Sequence, residues 1–157
     1  MKVKQIMIGK TETSYLKEGI EEYETRIKRL VPYESIQIPA ARSSPQMNIK
    51  VTKLKEAEKV LNYIAASDFV VLLDEKGKEL RSIEFADFLG AKLNSSIKTL
   101  VFISGGAYGF DDSLKSRANF ILSLSKMTFS HQMVRLFFTE QLYRAFSIMN
   151  NTAYHHE

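Results

Sequence analysis

The segment TLVFISGGAYG, residues 99–109, joins a continuous apolar run directly to a cluster of glycines. An apolar run of this length, bounded by turn residues, predicts a strand that is buried on both faces, as in a parallel sheet. The run FVVLL at residues 69–73 has the same character and ends at Asp74. Parallel neighbours need long crossover connections, which helices usually supply. The two runs therefore predict an α/β fold.

Strands and helices alternate along the rest of the chain. Apolar or alternating runs predict strands at residues 2–9, 33–38, 68–73, 99–104 and 120–124. Apolar spacings of three and four predict helices at residues 16–30, 50–66, 82–94, 111–119 and 131–148, the third capped by Ser82. Polar and glycine-containing stretches predict a loop at residues 40–48 and a turn at residues 75–80. We expect a single domain, residues 1–157, with a mostly parallel sheet sandwiched by helices.

Composition favours a compact protein that needs no covalent cross-link. Hydrophobic residues make up 45% of the 157 residues, and cysteine is absent, so disulfides are excluded. The opening apolar stretch is interrupted at Gln5 and is too short for a signal peptide. No later run approaches the roughly 20 apolar residues of a membrane span. We therefore expect a cytoplasmic protein with no membrane partner.

The net charge of the chain leaves more than one class of binding partner open. A formal net charge of +4 favours a polyanionic partner such as RNA, but a mildly basic enzyme without such a partner fits equally well. The histidines are His131, His155 and His156, and no pair has the helical spacing and nearby carboxylates that are typical of zinc sites. We expect no bound metal.

Three predicted strands end at residues 73–74, 104–106 and 124–125, and ligands in open parallel sheets bind at such ends. The cluster GGAYG is neither GxGxxG nor a phosphate-binding GxxxxGK[ST] loop, so a tight turn without any ligand stays open as an alternative. The loop at residues 125–130 precedes a helix, whose first free amides favour anionic groups. An ordinary connection in which Ser130 caps the helix explains this loop equally well.

The last helix and the tail hold the remaining polar candidates. Glu140 and Arg144 stand four residues apart, a spacing that is most often a solvated ion pair. Tyr154 and His155 lie in a segment too polar for a core, where a frayed terminus is the default. The same Tyr-His pair could also provide stacking, hydrogen bonding and proton transfer near neutral pH.

Three longer stretches resemble a known family. They are LLDEKGK at residues 72–78, FISGGAYGF at residues 102–110, and LSLSKMTFSHQMVRLFFTEQLYRAFSIMNNTAYHHE at residues 122–157. Together with IMIGK near the start, they resemble the RlmH family of the SPOUT class over essentially the whole chain. The resemblance implies a C-terminal trefoil knot (the alpha-beta knot), a homodimer in which the tail of one subunit completes the partner's active site, and binding of S-adenosylmethionine. It also implies methylation of the N3 ring nitrogen of a pseudouridine in 23S ribosomal RNA within the assembled ribosome.

The resemblance also assigns site residues. The residues that it places around S-adenosylmethionine are Leu73, Gly105, Leu124, Ser125, Lys126, Met127, Thr128 and Phe129. The catalytic candidates are His155 as a base or orienting donor, Tyr154 as a base-edge or stacking contact, and Arg135 and Arg144 as charge stabilisers or phosphate contacts.

One position departs from the family pattern, and two other functions remain as alternatives. His156 stands where the family commonly has a basic residue, so that either the charge is dispensable or another residue, such as Arg144, supplies it. The main alternative is a non-catalytic RNA-binding or ribosome-binding module of the same fold. A more distant alternative is a SPOUT enzyme that acts on transfer RNA.

Overall fold

The computed structural model describes residues 1–41 and 48–154, and the strands in these ranges form one parallel sheet. The strands are β1 Lys2–Ile8, β2 Tyr33–Ile38, β3 Phe69–Glu79, β4 Thr99–Ser104 and β5 Phe120–Ser123. The helices are α1 Ser14–Lys28, α2 Ile49–Leu61, α3 Ser82–Leu93, α4 Asp112–Arg117 and α5 Met133–Met149. The strand order is β2-β1-β4-β3-β5, and every pairing is parallel. The expected α/β sheet is confirmed.

Helices cover both faces of this sheet, which is why its central strands are apolar on both sides. Leu100 and Phe102 of β4 pack into a core that also contains residues of α1, α3 and α5. Val101 and Ile103 alternate with them and pack on the other face, against residues of α2 and α4. The carboxyl ends of the strands consequently meet along one edge, between the two helical layers.

Strand β3 is longer than the sequence predicts. The predicted strand ends at Leu73 and a turn follows, whereas β3 continues through that segment to Glu79. Both Leu73 and Lys78 are paired with Leu122 of β5, on either side of an irregularity in the register. At Gly77 the two backbones approach so closely that an added Cβ would lie 2.6 Å from the Ile121 carbonyl oxygen. The glycine that suggests a turn is therefore required by a close contact between two backbones.

Several helix ends also differ from the predictions. Helix α2 ends at Leu61, whereas the predicted helix continues to residue 66. Helix α3 has Arg81 at its N-cap position, and the Arg81 amide donates to the Glu84 carboxylate over 2.7 Å. Ser82, the predicted cap, is instead the first helical residue, and its hydroxyl is 3.3 Å from the Gln141 side-chain oxygen. Most of the predicted loop at residues 40–48 lies outside the described residues.

None of the helices within residues 1–41 and 48–154 has the length and apolar character needed to cross a membrane. In the same ranges, no three His, Asp or Glu side chains lie close enough to share a metal ion.

Candidate active site

A cleft of about 280 Å³ opens where the carboxyl ends of β3, β4 and β5 meet. This volume is close to the lower end of the range for small-molecule sites, roughly 300–1,000 Å³. Its walls come from the end of β3, the glycine loop after β4, the segment after β5 and the start of α5. The lining residues are Leu73, Asp74, Glu75, Gly105, Gly106, Ala107, Gly109, Phe110, Leu122, Leu124, Ser125, Met127, Thr128, Phe129, Ser130, His131 and Val134.

The glycine loop, residues 105–109, forms one wall because it can turn tightly and pass close to its neighbours. Gly109 has a φ of +74°, and its amide donates to the Gly106 carbonyl oxygen over 3.2 Å. A Cβ added at Gly105 would lie 3.3 Å from the Phe110 ring, and one at Gly106 would lie 3.0 Å from Glu56 Oε2. Glycine at these positions lets the backbone itself line the cleft.

The opposite wall is the segment after β5, residues 124–130, which its own hydroxyls hold in shape. The Ser123 hydroxyl donates to the Ser125 carbonyl oxygen, and the Ser125 hydroxyl accepts from the Met127 amide, both over 2.9 Å. The Ser130 hydroxyl accepts from the Met133 amide over 3.1 Å and so satisfies the first amide of α5, although the N-cap position is Gln132 and the helix begins two residues later than predicted. The Phe129 ring packs on Phe137 with centroids 4.9 Å apart.

The structure brings together all the residues expected to bind the cofactor except Lys126. The side chain of Lys126 points away into solvent, and its ammonium group lies 3.9 Å from the Glu79 carboxylate. Met127 lines the cleft while keeping 77% of its surface exposed. The lining combines the apolar side chains of Leu73, Leu124 and Phe129 with the hydroxyls of Ser125 and Thr128.

Sequence reasoning missed His131 as a residue of this cleft. His131 stands at the start of α5 and is the only histidine within residues 1–41 and 48–154. Burial and the nearby Arg135 charge lower the pKa of His131, while Glu12 opposes them. The imidazole is therefore mostly neutral at pH 7 and can accept a proton. Its place directly after the loop at residues 125–130 was the available signal.

Arg135 lies in the interior, where it joins two elements. Its guanidinium donates to the Ile8 carbonyl oxygen over 2.6 Å and to the Thr11 hydroxyl over 2.9 Å. The side chain is fully buried, and burial lowers its pKa to about 10, so that it remains cationic at neutral pH. Arg135 thus ties the connection between β1 and α1 to the helix whose first turn borders the cleft.

Tyr154 and Arg144 meet on α5, away from the cleft. The Tyr154 hydroxyl donates to Glu140 over 3.1 Å and lies 3.0 Å from the Tyr23 hydroxyl. Arg144 pairs with Glu140, and its guanidinium carbon lies 4.9 Å from the centre of the Tyr154 ring. Burial and the hydrogen bond with Tyr23 raise the pKa of Tyr154, so its hydroxyl stays protonated. Arg144 is about 15 Å further along the helix axis than Val134 of the cleft.

His155, the other catalytic candidate, lies outside the described residues. Of the four catalytic candidates, the structure therefore brings only Tyr154 and Arg144 together, and neither they nor Arg135 line the cleft.

The chain is similar over its full length to known proteins. A family model described as "Predicted SPOUT methyltransferase" matches residues 1–155. The protein named "Ribosomal RNA large subunit methyltransferase H" from Parabacteroides distasonis is 46% identical over 157 residues, which is 100% of both chains. The protein of that name from Christiangramia forsetii is 46% identical over 99% of each chain. The one from Trichlorobacter lovleyi is 42% identical over 99% of this chain and 100% of its own.

One solved structure shares the fold. It is titled as a probable methylase family protein from Haemophilus influenzae Rd KW20, and it matches 95% of this chain with a TM-score of 0.50. The sequences are 12% identical, so this likeness concerns the fold alone, and the present chain spans 66% of the length of that chain.

Proposed function

Because the chain belongs to the SPOUT methyltransferase family, we propose that it methylates the N3 ring nitrogen of a pseudouridine in 23S ribosomal RNA. The methyl donor in this proposal is S-adenosylmethionine, and the substrate is the assembled ribosome in the cytoplasm. The observation that carries the proposal is the cleft, because it gathers nearly all the residues expected to hold the donor. The relatives' name, with its reference to large-subunit ribosomal RNA, supports the choice of substrate.

The lining of the cleft fits a nucleoside with a short polar tail. Leu73, Leu124 and Phe129 supply apolar walls for a purine ring, while Ser125 and Thr128 can bond its edges or the ribose. The glycine loop lines the cleft with the backbone of Gly105, Gly106 and Gly109. Family membership also implies the C-terminal trefoil knot.

S-adenosylmethionine supplies a methyl group on a positively charged sulfur, which is already activated for transfer to a nucleophile. The nitrogen–carbon bond forms as the carbon–sulfur bond breaks, and the N3 proton must pass to a base. Our proposal gives this role to His155, with Tyr154 contacting the base and Arg144 stabilising the anion. Arg135 holds the start of α5 in place from the interior, through its bonds to Ile8 and Thr11. The main contribution of the protein is to align the reacting atoms.

These roles require a homodimer. Arg144 stands about 15 Å along the α5 axis from Val134 of the cleft, and Tyr154 packs against Arg144, whereas the tail of a second copy could reach the cleft. Phe137 on α5 is 42% exposed and packs on Phe129 of the cleft, so an apolar surface next to the cleft is available for that second copy. The proposal is therefore a composite site, with the donor cleft from one subunit and the tail from its partner.

The direct test is transfer of labelled methyl groups from S-adenosylmethionine to ribosomes from a strain that lacks this modification. Nucleoside mass spectrometry should identify 3-methylpseudouridine in the large-subunit RNA. Ribosomes that already carry the modification are the matched control and should accept no label. Donor binding without transfer to any ribosome would favour the alternative of a non-catalytic RNA-binding module. Label in transfer RNA would instead favour an enzyme that acts on transfer RNA.

A further inference from the structure

Helix α2 exposes large aliphatic side chains near its amino end. It buries Ala57 and Val60 together with the polar residues Thr52 and Glu56, while Ile49, Val51 and Leu54 are 52%, 41% and 45% exposed. An amphipathic helix usually buries its large aliphatic side chains and exposes its polar ones. The outward aliphatic face of α2 therefore needs an explanation outside the core.

The same helix carries the largest positive excess of any described helix. It has four lysines and two glutamates, and Glu56 is buried, whereas α1 has three basic and four acidic side chains. None of the ion pairs among residues 1–41 and 48–154 involves a lysine of α2, although the Lys53 charge acts on Asp111. Lys50 and Lys53 stand three residues apart and are neighbours on the helix surface.

Helix α2 also borders the cleft. Glu56 packs against Gly106, whose backbone forms part of the cleft wall. The helix runs antiparallel to the strands, because it connects β2 and β3, two parallel strands of one sheet that β1 and β4 separate. Its first residues therefore extend beyond the carboxyl edge, and Lys50 stands about 9 Å further out than Glu56.

We propose that the amino end of α2, comprising the exposed Lys50, Val51 and Leu54 with the half-buried Lys53 at their edge, docks on ribosomal RNA next to the nucleotide that enters the cleft. This inference rests on the proposed function and names the surface that recognises its substrate. The lysines neutralise phosphates, and the aliphatic side chains lie against ribose and base surfaces. Charge complementarity favours RNA over a protein partner, because Lys50 and Lys53 form no ion pair within residues 1–41 and 48–154, and the exposed carboxylate of α2, Glu58, lies a turn further along.

The test compares two double variants of the full-length protein that change the net charge equally. Lys50→Ala/Lys53→Ala alters the α2 face. The control, Lys17→Ala/Lys98→Ala, removes exposed lysines from α1 on the other sheet face and from the amino edge before β4. The α2 variant should bind unmodified ribosomes about tenfold more weakly at 0.1 M salt. The slope of its plot of log affinity against log salt concentration should be smaller in magnitude by roughly 1.4–1.8, because two phosphate contacts are lost. Affinity for S-adenosylmethionine, kcat at saturating ribosomes and melting temperature should match those of the control.

A photoreactive benzoylphenylalanine replacing Leu54 identifies the partner directly. Irradiation with ribosomes should cross-link the protein to 23S RNA. The docking proposal would be overturned if the α2 variant bound ribosomes as tightly as the control, or if the cross-link formed to a ribosomal protein. Neither result would affect the methyl transfer by the wild type. If the wild type transfers no methyl group to ribosomes, the proposed function fails, and this inference fails with it.

Discussion

Arg135 is the largest fully buried side chain among the described residues, and it has no carboxylate partner there. Its stabilising contacts are neutral oxygens of Ile8 and Thr11, so the cation is held by dipoles alone. A sequence pattern of Arg between apolar helix residues could not distinguish this position from a surface one. The structure therefore assigns Arg135 a positioning role in this subunit and leaves Arg144 as the more accessible cation.

Replacing Arg135 tests this role. Arg135→Ala should lower the free energy of unfolding by about 3 kcal/mol, because it leaves the Ile8 carbonyl and the Thr11 hydroxyl buried without partners. Urea denaturation measures the loss, and Arg144→Ala is the control, with a change of about 1 kcal/mol or less for its partly exposed pair. Unchanged stability of Arg135→Ala combined with weaker ribosome binding would instead indicate a direct RNA contact.

His131 should make stability depend on pH in a defined direction. Its pKa is lower in the folded protein than the ordinary 6.5, so the unfolded chain binds the proton more readily. The contribution of neutral His131 is present above pH 6.5 and is lost as the pH falls through its lowered folded-state pKa. His131→Gln should flatten the stability profile between about pH 5 and 7. An identical profile for both proteins would show that His131 titrates as it does in the unfolded chain.

At the scale of elements, the sequence predicted most strands, the parallel pairing class and the strand ends that form the cleft. Continuous apolar runs such as FVVLL predict strands that are buried on both faces of a sheet. Such strands are typical of parallel sheets, which helices cover on both sides. The extension of β3 was not predictable, because a Lys-Gly-Lys stretch looks like a turn until the β5 backbone is placed beside it. The contacts of Tyr154 likewise depend on α1, which is distant in sequence.

Gly77 provides a sharp test of the β3–β5 contact. Gly77→Ala should destabilise the protein by about 3 kcal/mol, because its methyl group would overlap the backbone at Ile121 and neither strand can retreat without breaking its pairing. Gly90→Ala in α3 is the matched control, since its new methyl group has ordinary contacts and alanine favours helix. Equal thermal stability of the two variants would contradict the close approach of the strands.

At the scale of the whole molecule, the proposal depends on two chains forming one active site. Ala107→Trp blocks the cleft from an exposed position, and His155→Ala disables the tail. Each homodimer should be inactive, but mixed and re-equilibrated subunits should regain about a quarter of wild-type activity, because half the dimers hold one intact composite site. Activity that stays absent after mixing, with mixed dimers verified by mass spectrometry, would mean that each chain uses its own tail.

The position of the methyl-donor site is the claim on which the other roles depend. Titration of the protein with S-adenosylhomocysteine, followed by amide chemical shifts, measures that position residue by residue. The largest shifts are expected at residues 73–75, 105–110 and 124–131, around the ends of β3, β4 and β5. Shifts centred on α1 or α2 instead, with those three segments unchanged, would contradict the assignment of this cleft.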